Sequence, residues 1–172
     1  MLRYAGMEIA FAALFGLIVG SFGNVCVHRL PRGKSLLFPA SHCPRCGARI
    51  RPLDNLPLLS WLALGGRCRA CRSPISWRYP LLEALTGAAA AAAVWKWGLS
   101  ASAALGFLSA FVFLVLFFTD LETRLLPDTL TLGGAALPLA FGLFAGTDPA
   151  PFAALLGAAA GSGLRLVVLR LH

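Results

Sequence analysis

The chain has 172 residues, of which 58% are hydrophobic and only 13% are charged. This composition is too apolar for an ordinary soluble domain and predicts a polytopic membrane protein. The net charge of +8 would suit a nucleic-acid-binding protein, but ten of the fifteen Lys and Arg residues lie between Arg29 and Arg78, where Asp54 is the only acidic residue. Such a block is typical of a cytoplasmic loop between membrane helices, so we expect no nucleic-acid partner.

Five apolar stretches are candidates for membrane helices. The first, residues 8–27, is long enough to cross a bilayer because an α-helix rises about 1.5 Å per residue. The later stretches contain glycine and proline, which membrane helices tolerate; they are 80–94, 100–118, 128–145 and 151–171. The sequence therefore predicts an all-α polytopic membrane protein with about five transmembrane helices.

Four of the five cysteines form two Cys-x-x-Cys pairs inside the basic loop. The pairs are CPRC at 43–46 and CRAC at 68–71, with 21 residues between them. Two tight turns of this kind aim four thiolates at one tetrahedral ion, which predicts a zinc site. The predicted ligands are Cys43, Cys46, Cys68 and Cys71. The alternative is a redox or disulfide pair, for which a single Cys-x-x-Cys would suffice.

Metal binding would also fold the loop. Residues 28–79 contain little apolar material, and in small modules the free energy of metal binding becomes free energy of folding. Cys26 lies in the first apolar stretch and is expected to be a small buried residue rather than a ligand. His42 adjoins Cys43, but four thiolates already complete a zinc shell. The loop is therefore predicted to be a small zinc-ribbon-like insert.

The distribution of charge sets the expected orientation. With the N-terminus outside and five alternating spans, thirteen Lys and Arg residues face the cytoplasm, and only Arg3 and Lys96 face outward. This asymmetry follows the positive-inside rule. It divides the chain into a first transmembrane helix (1–27), a cytoplasmic insert (28–79) and a transmembrane helical domain (80–172). The insert and the end of the third span then share the cytoplasmic face.

Acidic residues follow the third apolar stretch. No ionisable residue occurs between 102 and 119, and Asp120, Glu122 and Asp128 then arrive within nine residues. An ionisable group at a membrane edge is costly and is read by default as a functional group with a partner. The simpler alternative is a solvated turn in which Asp128 caps the next helix. We expect Asp120, which adjoins the apolar run, to be functional. Supporting roles are open to Glu83, Glu122 and Asp128.

Three blocks of the sequence resemble the prepilin leader peptidases of type IV pilus and type II secretion systems. They are GSFGNVCVHRLP at 20–31, the cysteine-containing block at 43–83, and TDLETRLLPDTLTL at 119–132. The resemblance covers nearly the whole chain. It implies an aspartic endopeptidase of the bacterial inner membrane that cuts the leader from type IV prepilins or pseudopilins at the cytoplasmic face. It also implies methylation of the new N-terminus with S-adenosylmethionine.

In that family pattern the first catalytic aspartate falls on Asp120, and the zinc cysteines fall on the four predicted ligands. The second catalytic aspartate belongs to a GxGD motif, which we do not find, since GSGL at 161–164 has Leu164 where aspartate should stand. The resemblance thus predicts a member shortened at its C-terminal end. Hydrolysis by a carboxylate pair needs one group protonated and one ionised, so we expect this chain alone to be nearly inert.

Two functions from different classes remain open. The first is a peptidase of this family, active once a GxGD segment completes it. The second is a catalytically inactive membrane zinc-binding protein that binds or scaffolds pilin-like substrates.

Because the insert is itself basic, a basic leader is expected to meet either acidic residues or anionic membrane lipid held by the arginines. The acidic candidates are Asp54, Glu83, Asp120, Glu122 and Asp128.

Overall fold

The protein is described by a computed structural model that covers residues 2–123, all within one compact unit. Its four α-helices are α1 (Leu2–Arg29), α2 (Leu59–Ala63), α3 (Arg78–Trp97) and α4 (Ala101–Thr123). Short 3-10 helices lie at Leu30–Arg32 and Pro52–Asn55. Residues 2–123 contain no β-strand, which agrees with the predicted all-α class. The predicted spans 128–145 and 151–171, and the candidate Asp128, lie outside the described residues.

The three long helices confirm the first three predicted apolar helices, and each is longer than predicted. α1 begins six residues before position 8, α3 continues through Trp97, and α4 continues through Thr123 rather than ending at 118. The added turns contain charged and aromatic residues but no proline. Hydropathy detects the part of a helix that suits a bilayer, whereas backbone hydrogen bonding continues until a breaker or a cap intervenes.

α1 and α3 pack most closely of all the helices. A Cβ atom at Gly16 would lie 2.7 Å from the carbonyl oxygen of Thr86, and one at Gly20 would lie 2.7 Å from the Cα atom of Glu83. Only glycine fits at such separations, as in the small-residue contacts of membrane helices. The facing side of α3 is correspondingly small and fully buried at Thr86 and nearly so at Ala90. α4 contacts both helices, with the rings of Phe15 and Phe107 centred 5.9 Å apart.

Two of the described helices are long and apolar enough to cross a membrane. They cover Gly6–Arg32 and Ala101–Thr123, with mean hydropathies of 2.0 and 2.4, and only 22% and 17% of their most apolar windows are buried inside the protein. The outer surfaces of these helices carry exposed large apolar side chains such as Phe11, Ile18 and Phe113. An apolar outer surface of this kind suits lipid. The alanine-rich α3 stays a predicted span.

Candidate metal centre and membrane-edge carboxylates

The first Cys-x-x-Cys turn, which we call knuckle 1 (Ser41–Ile50), is closed by three backbone hydrogen bonds. The N–H of Gly47 donates to the carbonyl of Cys43, and the N–H of Cys43 donates to the carbonyl of Ala48, each at 2.9 Å. The N–H of Ile50 donates to the carbonyl of Ser41, also at 2.9 Å. The chain thereby reverses around Cys43 and Cys46.

Knuckle 2 (Gly66–Ile75) repeats this pattern twenty-five positions later, so that Cys68 corresponds to Cys43. The N–H of Arg72 donates to the carbonyl of Cys68 at 3.0 Å, and the N–H of Cys68 donates to the carbonyl of Ser73 at 2.9 Å. The N–H of Ile75 donates to the carbonyl of Gly66 at 2.7 Å. The insert therefore contains two copies of one turn.

The two knuckles bring the four predicted ligands together. The four Sγ atoms all lie within 4.8 Å of one another, and those of Cys43 and Cys71 are 3.9 Å apart. A tetrahedral zinc ion with Zn–S distances of about 2.3 Å separates its sulfurs by about 3.8 Å. The four cysteines are free thiols rather than disulfides. The donor set therefore fits a tetrahedral metal ion.

Hydrogen bonds prepare two of these thiols for metal binding. The backbone N–H groups of Cys46 and Arg45 lower the pKa of the Cys43 thiol to about 6. The hydroxyl of Ser73 lies 3.1 Å from the Sγ atom of Cys71 and lowers the pKa of that thiol. Thiolates are the metal-binding form, so both effects favour a metal ion over protons. Sequence reasoning gave Ser73 no role, although its place two residues after Cys71 is a usable signal.

His42 and Asp54 take part in the insert without joining the sulfur cluster. The Nδ1 atom of His42 lies 3.2 Å from the carbonyl oxygen of Ala40. Arg69, inside knuckle 2, makes a bidentate ion pair with Asp54, with Nη2 2.7 Å from Oδ1 and Nε 2.9 Å from Oδ2. The hydrogen bonds from Arg69 hold the pKa of the Asp54 carboxyl below its ordinary value. Asp54 thus fixes knuckle 2 to the Pro52–Asn55 turn.

Glu83 ties the insert to the helices. Its side chain is buried, and its Oε2 accepts a hydrogen bond of 2.8 Å from the backbone N–H of Leu58, which precedes α2. The amide nitrogen of Asn24, on α1, lies 3.5 Å from Oε1 of Glu83 and donates to the carbonyl of Tyr79 at 3.2 Å. One carboxylate thus joins α1, α3 and the insert. Sequence reasoning named Glu83 as a supporting residue but gave no role to Asn24.

Glu122 joins the end of α4 to the end of α1. Its Oε1 lies 3.0 Å from Nη2 of Arg32 and 3.2 Å from Nδ1 of His28. Arg32 also donates from Nη1 to the carbonyl of His28 at 2.5 Å. Glu122 is therefore engaged by a permanent cation at the end of α1.

Asp120 lies in the last described turn of α4, on its exposed side. Phe113, Phe117 and Leu121 are exposed along the same helix, whereas Phe118 and Thr119 are buried. Within residues 2–123 the Asp120 carboxylate has no hydrogen bond or ion pair. The sequence placed Asp120 just after a helix that ended at 118, but it is a helical residue on an exposed, apolar face.

Comparison with known proteins identifies relatives over most of the chain. The family model of the bacterial peptidase A24 N-terminal domain matches residues 14–97. A prepilin leader peptidase/N-methyltransferase of Burkholderia pseudomallei is 40% identical over 91% of this chain and 58% of the relative. Proteins of the same name from Pseudomonas aeruginosa and Klebsiella pneumoniae are 39% and 43% identical, over 84% and 92% of this chain and 59% and 72% of the relatives. No solved structure matches.

The apolar helices and the four-cysteine cluster define a helical membrane protein with a metal-binding insert. The chain belongs to the prepilin leader peptidase/N-methyltransferase family. It spans about 58% of the length of the Burkholderia relative and 72% of the Klebsiella one. The predicted family resemblance is confirmed.

Proposed function

We propose that the protein is the Asp120-containing part of a membrane aspartic endopeptidase that cleaves the leader of type IV prepilins or pseudopilins. The observation that carries this proposal is the place of Asp120, on an exposed apolar helix face in a member of the prepilin leader peptidase/N-methyltransferase family. A carboxylate at the end of a membrane helix is costly to retain without a function. The proposed location is the bacterial inner membrane, with several spans and with Asp120 and the insert on the cytoplasmic side.

The chemistry requires a second carboxylate. In an aspartic peptidase one ionised carboxylate takes a proton from the attacking water, and a protonated one hydrogen-bonds the carbonyl oxygen of the scissile bond. Glu122 is not offered as this second carboxylate, because Arg32 already engages it at 3.0 Å. The sequence contains no GxGD motif. We propose that a segment with that motif, on a longer chain or on a separate one, covers the exposed face of α4 and completes the pair.

The internal contacts restrict where a basic leader can bind. Of the acidic candidates, Asp54 is paired with Arg69, Glu83 accepts a hydrogen bond from the insert, and Glu122 is paired with Arg32. Their charges are largely used inside the protein. We therefore propose that the leader approaches the Asp120 side of the helix ends, where a carboxylate remains open to solvent.

This proposal includes two cofactors, zinc and S-adenosylmethionine. Zinc would be held by the four cysteines and would stabilise the fold of the insert, since structural zinc sites have closed shells of four protein ligands. S-adenosylmethionine would supply the methyl group for the N-methyltransferase activity that appears in the relatives' names. We assign no described residue to it.

Cleavage of a prepilin in membranes tests the role of Asp120. The 172-residue chain is co-expressed with the GxGD-containing C-terminal segment of a relative, and prepilin processing is followed by mobility on a gel. Asp120→Asn keeps the size of the side chain but removes the base, so we expect a loss of about 10²–10⁴-fold in rate. Asp128→Asn is the matched control and is expected to do less harm.

The same assay separates the two functional classes. Full processing by Asp120→Asn would remove Asp120 from the mechanism. If the chain supplied with the segment binds prepilin but never cleaves it, the catalytically inactive zinc-binding protein is the better description.

A further inference from the structure

The residues that follow α1 form an ordered loop at the helix end. Gly33 adopts a left-handed conformation (φ 61°), and its N–H donates to the carbonyl of Leu30 at 3.1 Å. The N–H of Lys34 donates to the carbonyl of Arg29, also at 3.1 Å. This pair of bonds is a Schellman motif, which ends a helix and reverses the chain. The loop of residues 34–39, which we call the 34–39 loop, therefore turns back toward the end of α1.

Arg29 holds the loop in place. Its side chain is buried (9% exposed), and its guanidinium donates three hydrogen bonds to backbone carbonyls of the loop. They reach Ser35 at 2.9 Å, Leu36 at 3.3 Å and Pro39 at 2.6 Å. The hydroxyl of Ser35 also accepts from the N–H groups of Leu37 and Phe38, each at 3.3 Å. A buried arginine needs such partners, so the loop and the last turn of α1 form one unit.

The ordered loop exposes two large apolar side chains. Leu37 is 78% exposed and Phe38 is 77% exposed. Lys34 beside them is exposed and makes no ion pair within the described part of the chain. The hydrogen bonds fix the backbone in a shape that points both apolar side chains away from the protein. Two adjacent apolar groups with a free cation are the composition of a membrane-interface anchor.

We propose that the 34–39 loop is an interfacial anchor that places Leu37 and Phe38 in the anionic cytoplasmic leaflet of the membrane. Its position supports lipid over a protein partner, because the apolar span ends at Arg32, two residues before the loop begins. Arg29 then keeps the loop at the depth of the helix end. The charge agrees as well, since Lys34 belongs to the basic stretch between Arg29 and Arg78. The inference rests on the proposed membrane orientation of α1.

Photo-crosslinking in lipid tests the anchor. The full chain is reconstituted into vesicles of equal parts phosphatidylglycerol and phosphatidylcholine, with p-benzoylphenylalanine in place of Phe38. After irradiation, the intact mass reports what the side chain has touched. The matched control is Leu53, which is 76% exposed but belongs to the turn that Asp54 fixes to knuckle 2. We expect a phospholipid adduct at position 38 in several-fold higher yield than at position 53.

A third position distinguishes failure of the anchor from failure of the proposed topology. Phe11 lies on α1 and is 66% exposed, so p-benzoylphenylalanine there should capture lipid if α1 crosses the membrane. Lipid at position 11 with no excess at 38 over 53 would overturn the anchor alone. No lipid at 11 would overturn the membrane-spanning α1 and the anchor with it. An adduct of position 38 with a second copy of the chain in place of lipid would overturn lipid as the occupant.

The lipid headgroup tests the role of Lys34. One cation at an anionic surface favours phosphatidylglycerol by up to about fivefold over a neutral lipid. We expect this preference among the adducts at position 38 and its loss in Lys34→Gln. Equal capture of both lipids by the unmodified loop would overturn the anionic part of the proposal.

Discussion

The two knuckles share one backbone pattern but differ in the side chains that support it. Both are closed by the same three hydrogen bonds, and both aim a pair of thiols at one point. Knuckle 1 has glycine at the position with positive φ, Gly47 (φ 70°), whereas knuckle 2 has Arg72 there (φ 58°). A non-glycine residue in this conformation is strained. The cysteine spacing and the backbone bonds therefore define the turn, and the glycine is favourable rather than required.

Knuckle 2 offsets its strain with contacts that knuckle 1 lacks. Arg69 stands where knuckle 1 has Pro44, and it makes the bidentate pair with Asp54. Ser73 stands where knuckle 1 has Ala48, and its hydroxyl reaches the Cys71 thiol. Knuckle 1 depends mainly on its own backbone, whereas knuckle 2 also uses Asp54, outside the turn, and the Ser73 hydroxyl within it.

The largest expected effect comes from removing one thiol from either knuckle. Cys43→Ser and Cys68→Ser should each lower the zinc content from about one ion per chain to near zero, because a structural zinc shell needs four ligands. The insert should then be cleaved readily by trypsin at its arginines, since binding of structural zinc supplies about 10–16 kcal/mol toward folding. Metal analysis and limited proteolysis measure both effects.

Cys26→Ala is the control for these variants, because Cys26 is a buried thiol of α1 outside the cluster. It should keep its zinc. Retention of zinc by Cys43→Ser would show that the two knuckles do not share one ion.

A smaller effect is expected from Ser73→Ala, which makes knuckle 2 resemble knuckle 1. The Cys71 pKa is lowered from its ordinary 9.0 by the Ser73 hydroxyl, so the thiolate is favoured at lower pH in the folded state than in the unfolded state. The free energy that the Cys71 thiolate contributes to the folded state is fully present above pH 9.0. It is lost as the pH falls through the folded pKa. Without the hydroxyl this loss should begin at a higher pH, and the zinc affinity at neutral pH should fall by about three- to tenfold.

Competition with a chromophoric chelator over a series of pH values measures this shift. Ser60→Ala is the matched control, because the Ser60 hydroxyl bonds to the carbonyl of Leu56 and not to a sulfur. Identical curves for Ser73→Ala and the unchanged protein would contradict a role for the hydroxyl at the thiolate.

The smallest expected effect comes from substituting the residue with positive φ in each knuckle, which changes the backbone strain of the turn. Arg72→Gly should raise the free energy of unfolding of the insert by about 0.5–1 kcal/mol, because glycine adopts a positive φ without a steric penalty. Gly47→Ala should lower it by about 1 kcal/mol for the converse reason. Urea titration followed by zinc release measures both variants. A stabilising Gly47→Ala would show that the left-handed position does not limit the knuckle.

The sequence predicted those parts of the protein that depend on local pattern. Apolar runs predicted the long helices, and the paired Cys-x-x-Cys motifs predicted the four-sulfur cluster. The contacts of Glu83 with Leu58 and of Glu122 with His28 were not predicted. They join residues 25 and 94 positions apart, and neither periodicity nor motif spacing contains that information. The exposed side of Asp120 was also missed, because hydropathy placed the helix end too early. The catalytic role of Asp120 stays a prediction.

The close contact of α1 with α3 changes the chain entropy of the insert. Gly16 and Gly20 hold the two helices together, so the ends of the segment between Arg29 and Arg78 are already near each other when the metal arrives. In the chain-entropy treatment of cross-links, closing a loop of about fifty residues corresponds to about 4 kcal/mol. The helix pair acts as a tether that keeps the insert closed before it folds. Metal affinity is therefore a property of the tethered chain and not of the cysteines alone, and an excised insert would bind the same ion more weakly.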